Sequence, residues 1–155
     1  MRNKVIGGLV IACVAATMTA AAREASAQEL PNAAVHMAAK DLHWSPLTPD
    51  SGLQWVRLWG DRSHPDEDGY GMLLMVPAGT EAGLHMHTDH HHAINMQGTW
   101  VYTVEGDAAP KELPPGSYVL QPGGQLHNER CKGPEDCVLF IHQHGIADML
   151  VPHKH

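Results

Sequence analysis

The stretch "GTEAGLHMHTDHHHAINMQG", residues 79–98, begins and ends on glycine and carries five histidines between. His85 and His87 are two residues apart in a run that reads as a short strand, Leu84–Thr88. Side chains two apart on a strand project from the same face, so both imidazoles point one way and Met86 the other. Such a pair is a two-donor clamp. His90, His91 and His92 follow at the start of the next strand, and His127 lies far downstream, after the tight turn "PGGQL" at 122–126. Donors on one strand, on its neighbour and on a distant strand can meet only where strands pack closely. Imidazoles gathered in that way suit Zn, Fe, Cu, Ni or Mn.

Working outward, short β-type runs recur. They are Leu53–Trp59, Tyr70–Val76, His91–Met96, Thr99–Val104, Ser117–Gln121, Gln125–Cys131 and Cys137–Gln143. Turn signals separate them, including Gly60-Asp61, Pro77-Ala78-Gly79, Gln97-Gly98, Pro114-Pro115-Gly116 and Gly133-Pro134. "VHMAAKDLHW", 35–44, reads as an edge strand at most, and no helical stretch follows residue 28. Many short strands at this spacing predict an all-β fold, an antiparallel sandwich or small barrel. Alternation puts Met72, Leu74 and Val76 on one face, and Trp100, Tyr102 and Val104 on another. It also groups Val138, Phe140, His142 and His144.

The ends say where such a chain works. Arg2 and Lys4 precede an apolar run from Val5 to Ala22, and Ala25-Ser26-Ala27 forms an A-x-A site. This is the layout of a secretory signal peptide, with cleavage after Ala27 and a periplasmic or secreted product. Val10-Ile11-Ala12-Cys13 loosely matches a lipoprotein box, which gives a lipid-anchored form as the alternative. Residues 28–50 then read as an extended arm and 51–152 as one domain. Without residues 1–27 the chain keeps 7 basic and 16 acidic residues, a net charge of −9. It therefore has no basic stripe for nucleic acid and no polybasic membrane patch. Cys131 and Cys137 flank a turn in "CKGPEDC", and an even pair in an exported chain reads as a disulfide. A thiolate metal pair is the alternative.

The two histidine segments carry a family resemblance. Residues 79–98 resemble the first motif of the cupin superfamily at Gly79, His85, His87 and Gly98. "GSYVLQPGGQLHNERC", 116–131, resembles the second at Gly116, Pro122, Gly124 and His127. His91 occupies the position where the first motif has a glutamate, and Cys131 the position of an asparagine in the second. "LWGD" (58–61), "GTW" (98–100) and "LPPGSY" (113–118) further resemble a subgroup related to the zinc-binding cupin domain of anti-sigma factors, the ChrR-like cupins.

The resemblance implies a jelly-roll barrel holding one divalent metal through His85, His87, His91 and His127. With His91 in place of a carboxylate, the ligand set is neutral and favours Fe, Zn, Cu or Ni over Mn. His90 and His92 are expected to face away, and His92 is the alternative ligand if the loop is one residue longer. The resemblance implies three functions. One is a dioxygenase-like oxidoreductase on a small molecule. Another is a non-catalytic zinc or ligand-binding module. The third, an isomerase or lyase, is disfavoured by the missing carboxylate. A homodimer is expected by analogy. Around the metal, Met72, Trp100, Tyr102 and Phe140 read as core or cavity wall. His142 reads as pocket lining or as a structural histidine. Glu129, two after His127, is either an interior base or, more simply, an exposed strand carboxylate.

Overall fold

The computed structural model describes residues 33–152. The signal-like segment 1–27, Cys13, His153 and His155 lie outside the described residues. Among the described residues, nine strands form two antiparallel sheets. β1 (Ser45–Pro46), β2 (Gln54–Trp59), β3 (Tyr70–Val76), β4 (His91–Gln97), β7 (Tyr118–Gln121) and β9 (Cys137–Gln143) make the larger, in the order β1-β2-β3-β9-β4-β7. β5 (Trp100–Val104), β6 (Lys111–Leu113) and β8 (His127–Cys131) make the smaller, in the order β6-β5-β8. The expected all-β jelly-roll is present, but the two sheets are not joined into a closed barrel. Among the described residues, no helix is long and apolar enough to cross a membrane.

Three elements differ from the sequence reading, the first being β6, which pairs with β5 where no strand was expected. Residues 35–44 form no strand; a single 3-10 turn spans Ala39–Asp41, and pairing begins only at Ser45. The His85–His87 segment is extended but forms only isolated bridges, His85 to His127 and Met86 to Leu150. Each neighbour offers that segment one bridge, so no continuous ladder forms.

The core lies between the sheets. Tyr70, Met72 and Leu74 of β3, Ala93 of β4, Trp100 and Tyr102 of β5, and Leu139 and Ile141 of β9 pack together and are all buried. β9 is central, pairing β3 on one side and β4 on the other. Its burial alternates, with Cys137, Leu139, Ile141 and Gln143 inside and Val138, Phe140 and His142 outside. Phe140, read as core or cavity wall, thus lies on the outer face of the large sheet, and so does His142, which leaves the structural rather than the pocket-lining reading of that histidine. "CVLFIHQ" is apolar on both faces, so alternation finds the two faces but cannot say which is inner. The outer face has its own cover. The Trp59 ring lies flat over Gly71, where a Cβ would come within 2.2 Å of it. The same ring packs against Phe140 at 6.0 Å and His142 at 5.7 Å between centroids.

Turns hold the frame. Gly98 adopts φ +76° between β4 and β5, where a side chain would clash with the Asp136 carbonyl at 2.8 Å. Cys131 at the end of β8 is disulfide-bonded to Cys137 at the start of β9, with Cα atoms 5.7 Å apart. That bond ties the small sheet to the large one.

Candidate metal centre

His127 opens β8, and its backbone exchanges both hydrogen bonds with His85, at 2.9 Å each. This bridge brings the two rings within 4.2 Å, centroid to centroid. His87, on the same side of its segment as His85, lies 5.0 Å from His85 and 5.2 Å from His127. One donor atom from each of the three falls within 4.8 Å of the others.

The nitrogens are sorted as metal binding requires. Nδ1 of His85 meets the Gly83 carbonyl at 2.8 Å, Nδ1 of His127 meets that of Gln125 at 3.1 Å, and Nδ1 of His87 meets that of Asp148. A carbonyl only accepts, so each Nδ1 carries the proton and each Nε2 keeps a free lone pair. Ligating histidines are oriented by just such a bond from the second nitrogen. Nε2 of His127 is fully buried and has no hydrogen-bond partner among the described residues. An orphaned acceptor of that kind costs about 1–3 kcal/mol unless something fills it. A divalent cation fits the position, and the donor set suits a borderline transition metal.

His91 lies beside this trio. It is buried on the inner face of β4, between Gln121 of β7 and Gln143 of β9 in register. Its ring is 4.9 Å from His87 and 6.3 Å from His127. It is not one of the three whose donor atoms converge. His92 points to the opposite face, and His90 is exposed.

Burial sets the protonation. Desolvation, joined by the neighbouring imidazoles, pushes His91 down to about 3. Desolvation first, and then the other two imidazoles against a bond to Gln125, takes His127 to about 4. His85 is lowered as well, mainly by burial. His85, His91 and His127 are therefore neutral at pH 7, the state in which imidazole ligates.

The surroundings are polar at the rim and apolar beneath. Tyr102 stacks on His127 at 5.4 Å and donates to Gln121 at 2.6 Å, while Gln121 donates to the carbonyls of Pro122 and Gln125. Met72 and Trp100 are in the core, as their alternation indicated. Glu129 shares the face of His127 and Cys131 on β8 and pairs with Tyr102. It is half-buried rather than exposed, and desolvation raises its carboxyl to about 7.

The sequence reading had no place for Asp148. Its carbonyl orients His87 and its carboxylate accepts from Thr88 N at 3.0 Å and from Thr88 Oγ1. Asp148 reaches the site because Met86 and Leu150 pair in both directions, at 3.0 and 2.8 Å. No sequence pattern marks a contact made across 61 residues by a main-chain oxygen.

With this geometry in view, residues 32–147 match the model of the ChrR Cupin-like domain. The chain belongs to that family. Among curated proteins no relative matches. Solved structures show the same fold at low identity. The polyketide cyclase RemF from Streptomyces resistomycificus is 14% identical with a TM-score of 0.60, over 76% of this cupin and 84% of that chain. The DMSP lyase DddQ from Ruegeria pomeroyi is 20% identical with a TM-score of 0.54, over 67% and 56%. The complex of Rhodobacter sphaeroides SigE with the anti-sigma ChrR matches at 18% identity and a TM-score of 0.51, over 68% and 51%.

Proposed function

We propose that this cupin is an exported metalloenzyme, a dioxygenase-like oxidoreductase acting on a small chelating enol, phenol or diketone. One observation carries the reading. Three histidines converge with every Nδ1 tied to a carbonyl and the Nε2 of His127 buried without a hydrogen-bond partner among the described residues. His85, His87 and His127 would hold the ion, with Fe, Cu, Ni or Zn ahead of Mn. When bound, the ion would supply a Lewis acid and, if redox-active, a site for O₂. Three protein donors leave room for a substrate, unlike a closed four-donor structural site. His91 is held neutral at the edge of the trio, where it can donate to or accept from a bound substrate.

Glu129 supports chemistry over mere storage. A carboxyl held near 7 on the inner face is matched to taking a proton from an enol or phenol at neutral pH. Export rests on the signal-like residues 1–27 and fits the Cys131–Cys137 disulfide, which persists in oxidising compartments. A homodimer along edge strand β7 belongs to the same proposal and is read by sedimentation.

The test is metal content of protein purified from its export compartment, then O₂ consumption with a panel of enols and phenols. Redox-active metal near one per chain, with uptake lost in His127→Ala, supports the enzyme. Stoichiometric zinc and no uptake would sink it. That result would favour the second reading, a zinc-stabilised binding module, which has in its favour the similarity to the anti-sigma ChrR complex.

A further inference from the structure

β4 and β9 carry histidines on both faces. Inside, His91 borders the trio. Outside, His92 faces His142 in register, His144 follows two residues later, and His90 precedes the strand. These four rings form a closed circuit on the outer face of the large sheet. Centroids are 5.9 Å from His90 to His92, 6.1 Å on to His142, 4.8 Å on to His144, and 6.1 Å back to His90. Imidazoles sharing one tetrahedral ion with metal–nitrogen bonds of about 2 Å have centroids about 5 Å apart. Neighbouring rings of the circuit are within about 1 Å of that; their donor nitrogens do not converge within 4.8 Å as those of the inner trio do, so an ion would have to draw them together by rotation about χ2, a soft torsion of histidine.

Three of the rings already have one nitrogen occupied. Nδ1 of His92 bonds the Tyr118 hydroxyl at 2.7 Å, and Nε2 of His142 lies 3.4 Å from the Asp68 carbonyl. Nδ1 of His144 meets the Glu67 carbonyl at 3.2 Å. This leaves Nε2 of His92, Nδ1 of His142 and Nε2 of His144 free. Bonds to the second nitrogen orient ligating histidines in this way. The surroundings are acidic. The Asp66–Asp68 loop supplies those carbonyls, and the Asp89 carboxylate lies against Gly145, where a Cβ would meet its Oδ2 at 1.7 Å. A negative rim raises the local concentration of cations.

We propose that His92, His142 and His144, with His90 closing the ring, bind a second, solvent-exchangeable divalent transition metal. An all-imidazole set selects Cu(II), Ni(II) or Zn(II) and excludes Mg²⁺ and Ca²⁺. The site is separate from the inner trio and does not rest on the proposed reaction.

The test uses untagged full-length mature protein, titrated with Zn²⁺ and with Cu²⁺ and counted by elemental analysis and calorimetry. Two ions per chain are expected. His92→Ala/His142→Ala should weaken the second at least 100-fold and leave the first, whereas His85→Ala/His127→Ala should do the reverse. His144→Ala, an exposed single change, should weaken the second about tenfold. It serves as an independent reading if a double variant folds poorly. A single ion removed by His92→Ala/His142→Ala would uphold the outer site and sink the inner one. A single ion that survives that change would overturn the proposal. So would two ions in that variant, or a second ion lost on His153→Ala/His155→Ala instead.

Discussion

At the residue scale, the metal centre depends on which atoms hold the rings as much as on the rings. His87 is the least buried of the trio, and its orientation comes from Asp148, whose carboxylate in turn fixes Thr88. Asp148→Ala should therefore loosen the segment and lower metal affinity about tenfold, the order found for groups behind a ligand. His127→Ala should abolish inner-site binding, and His91→Ala should cost about tenfold. A competitive titration against a chromogenic chelator, with the outer histidines removed, ranks the three. Equal losses from His91→Ala and His127→Ala would make His91 a full ligand. The clamp is legible in the sequence because strand alternation is rigid and short in range. His127 is legible only through its turn and the family motif. Asp148 is not legible, since it acts through a main-chain oxygen that any residue could supply. The interior placement of Glu129 follows from alternation with His127. Its elevation does not, because desolvation depends on what covers the opposite side.

At the element scale, β9 tests how far alternation carries. Seven residues, apolar on both faces, leave two equivalent choices of inner side. What breaks the tie is non-local. Cys137 must reach Cys131, and Leu139 and Ile141 must face Trp100 and Tyr102 across the sheets. Leu139 is almost fully buried, whereas Phe140 is partly covered by Trp59. Leu139→Ala should accordingly cost about 3 kcal/mol, and Phe140→Ala about 1 kcal/mol despite the larger side chain. Chemical denaturation of both variants reads the difference. The reverse order would place the core on the other face of β9, and with it the histidines of β4. The same reasoning explains why Met72, Leu74, Trp100 and Tyr102 are readable from sequence. Their strands pair a large apolar set with a smaller or more polar one.

At the scale of the whole molecule, the two sheets are coupled by the disulfide, by the core and by the histidine cluster. The disulfide closes a short loop, so its loss by Cys131→Ser/Cys137→Ser should cost about 2 kcal/mol on the chain-entropy account. The cluster imposes a pH dependence whose sign can be worked out. His85, His91 and His127 have folded values below the ordinary 6.5, the last two near 3 and 4. Between pH 6.5 and about 4 the unfolded chain takes up protons at His91 and His127 and the folded chain does not, and His85 acts in the same direction. Stability is therefore full above 6.5 and is lost as pH falls through that window. Glu129 acts in the opposite sense. Raised from 4.5 to about 7, it holds a proton in the folded state that the unfolded state has released, so its contribution is lost as pH rises from 4.5 to 7. Three groups oppose one, so the histidines prevail. The melting temperature of metal-free protein should fall on acidification from pH 6.5 to 4.5. Glu129→Gln should steepen that fall, because the opposing group is gone. His91→Gln should flatten it. A profile flat across this range in the parent would mean that the imidazoles are hydrated, and that the cluster is not the dry, neutral site from which metal binding was argued.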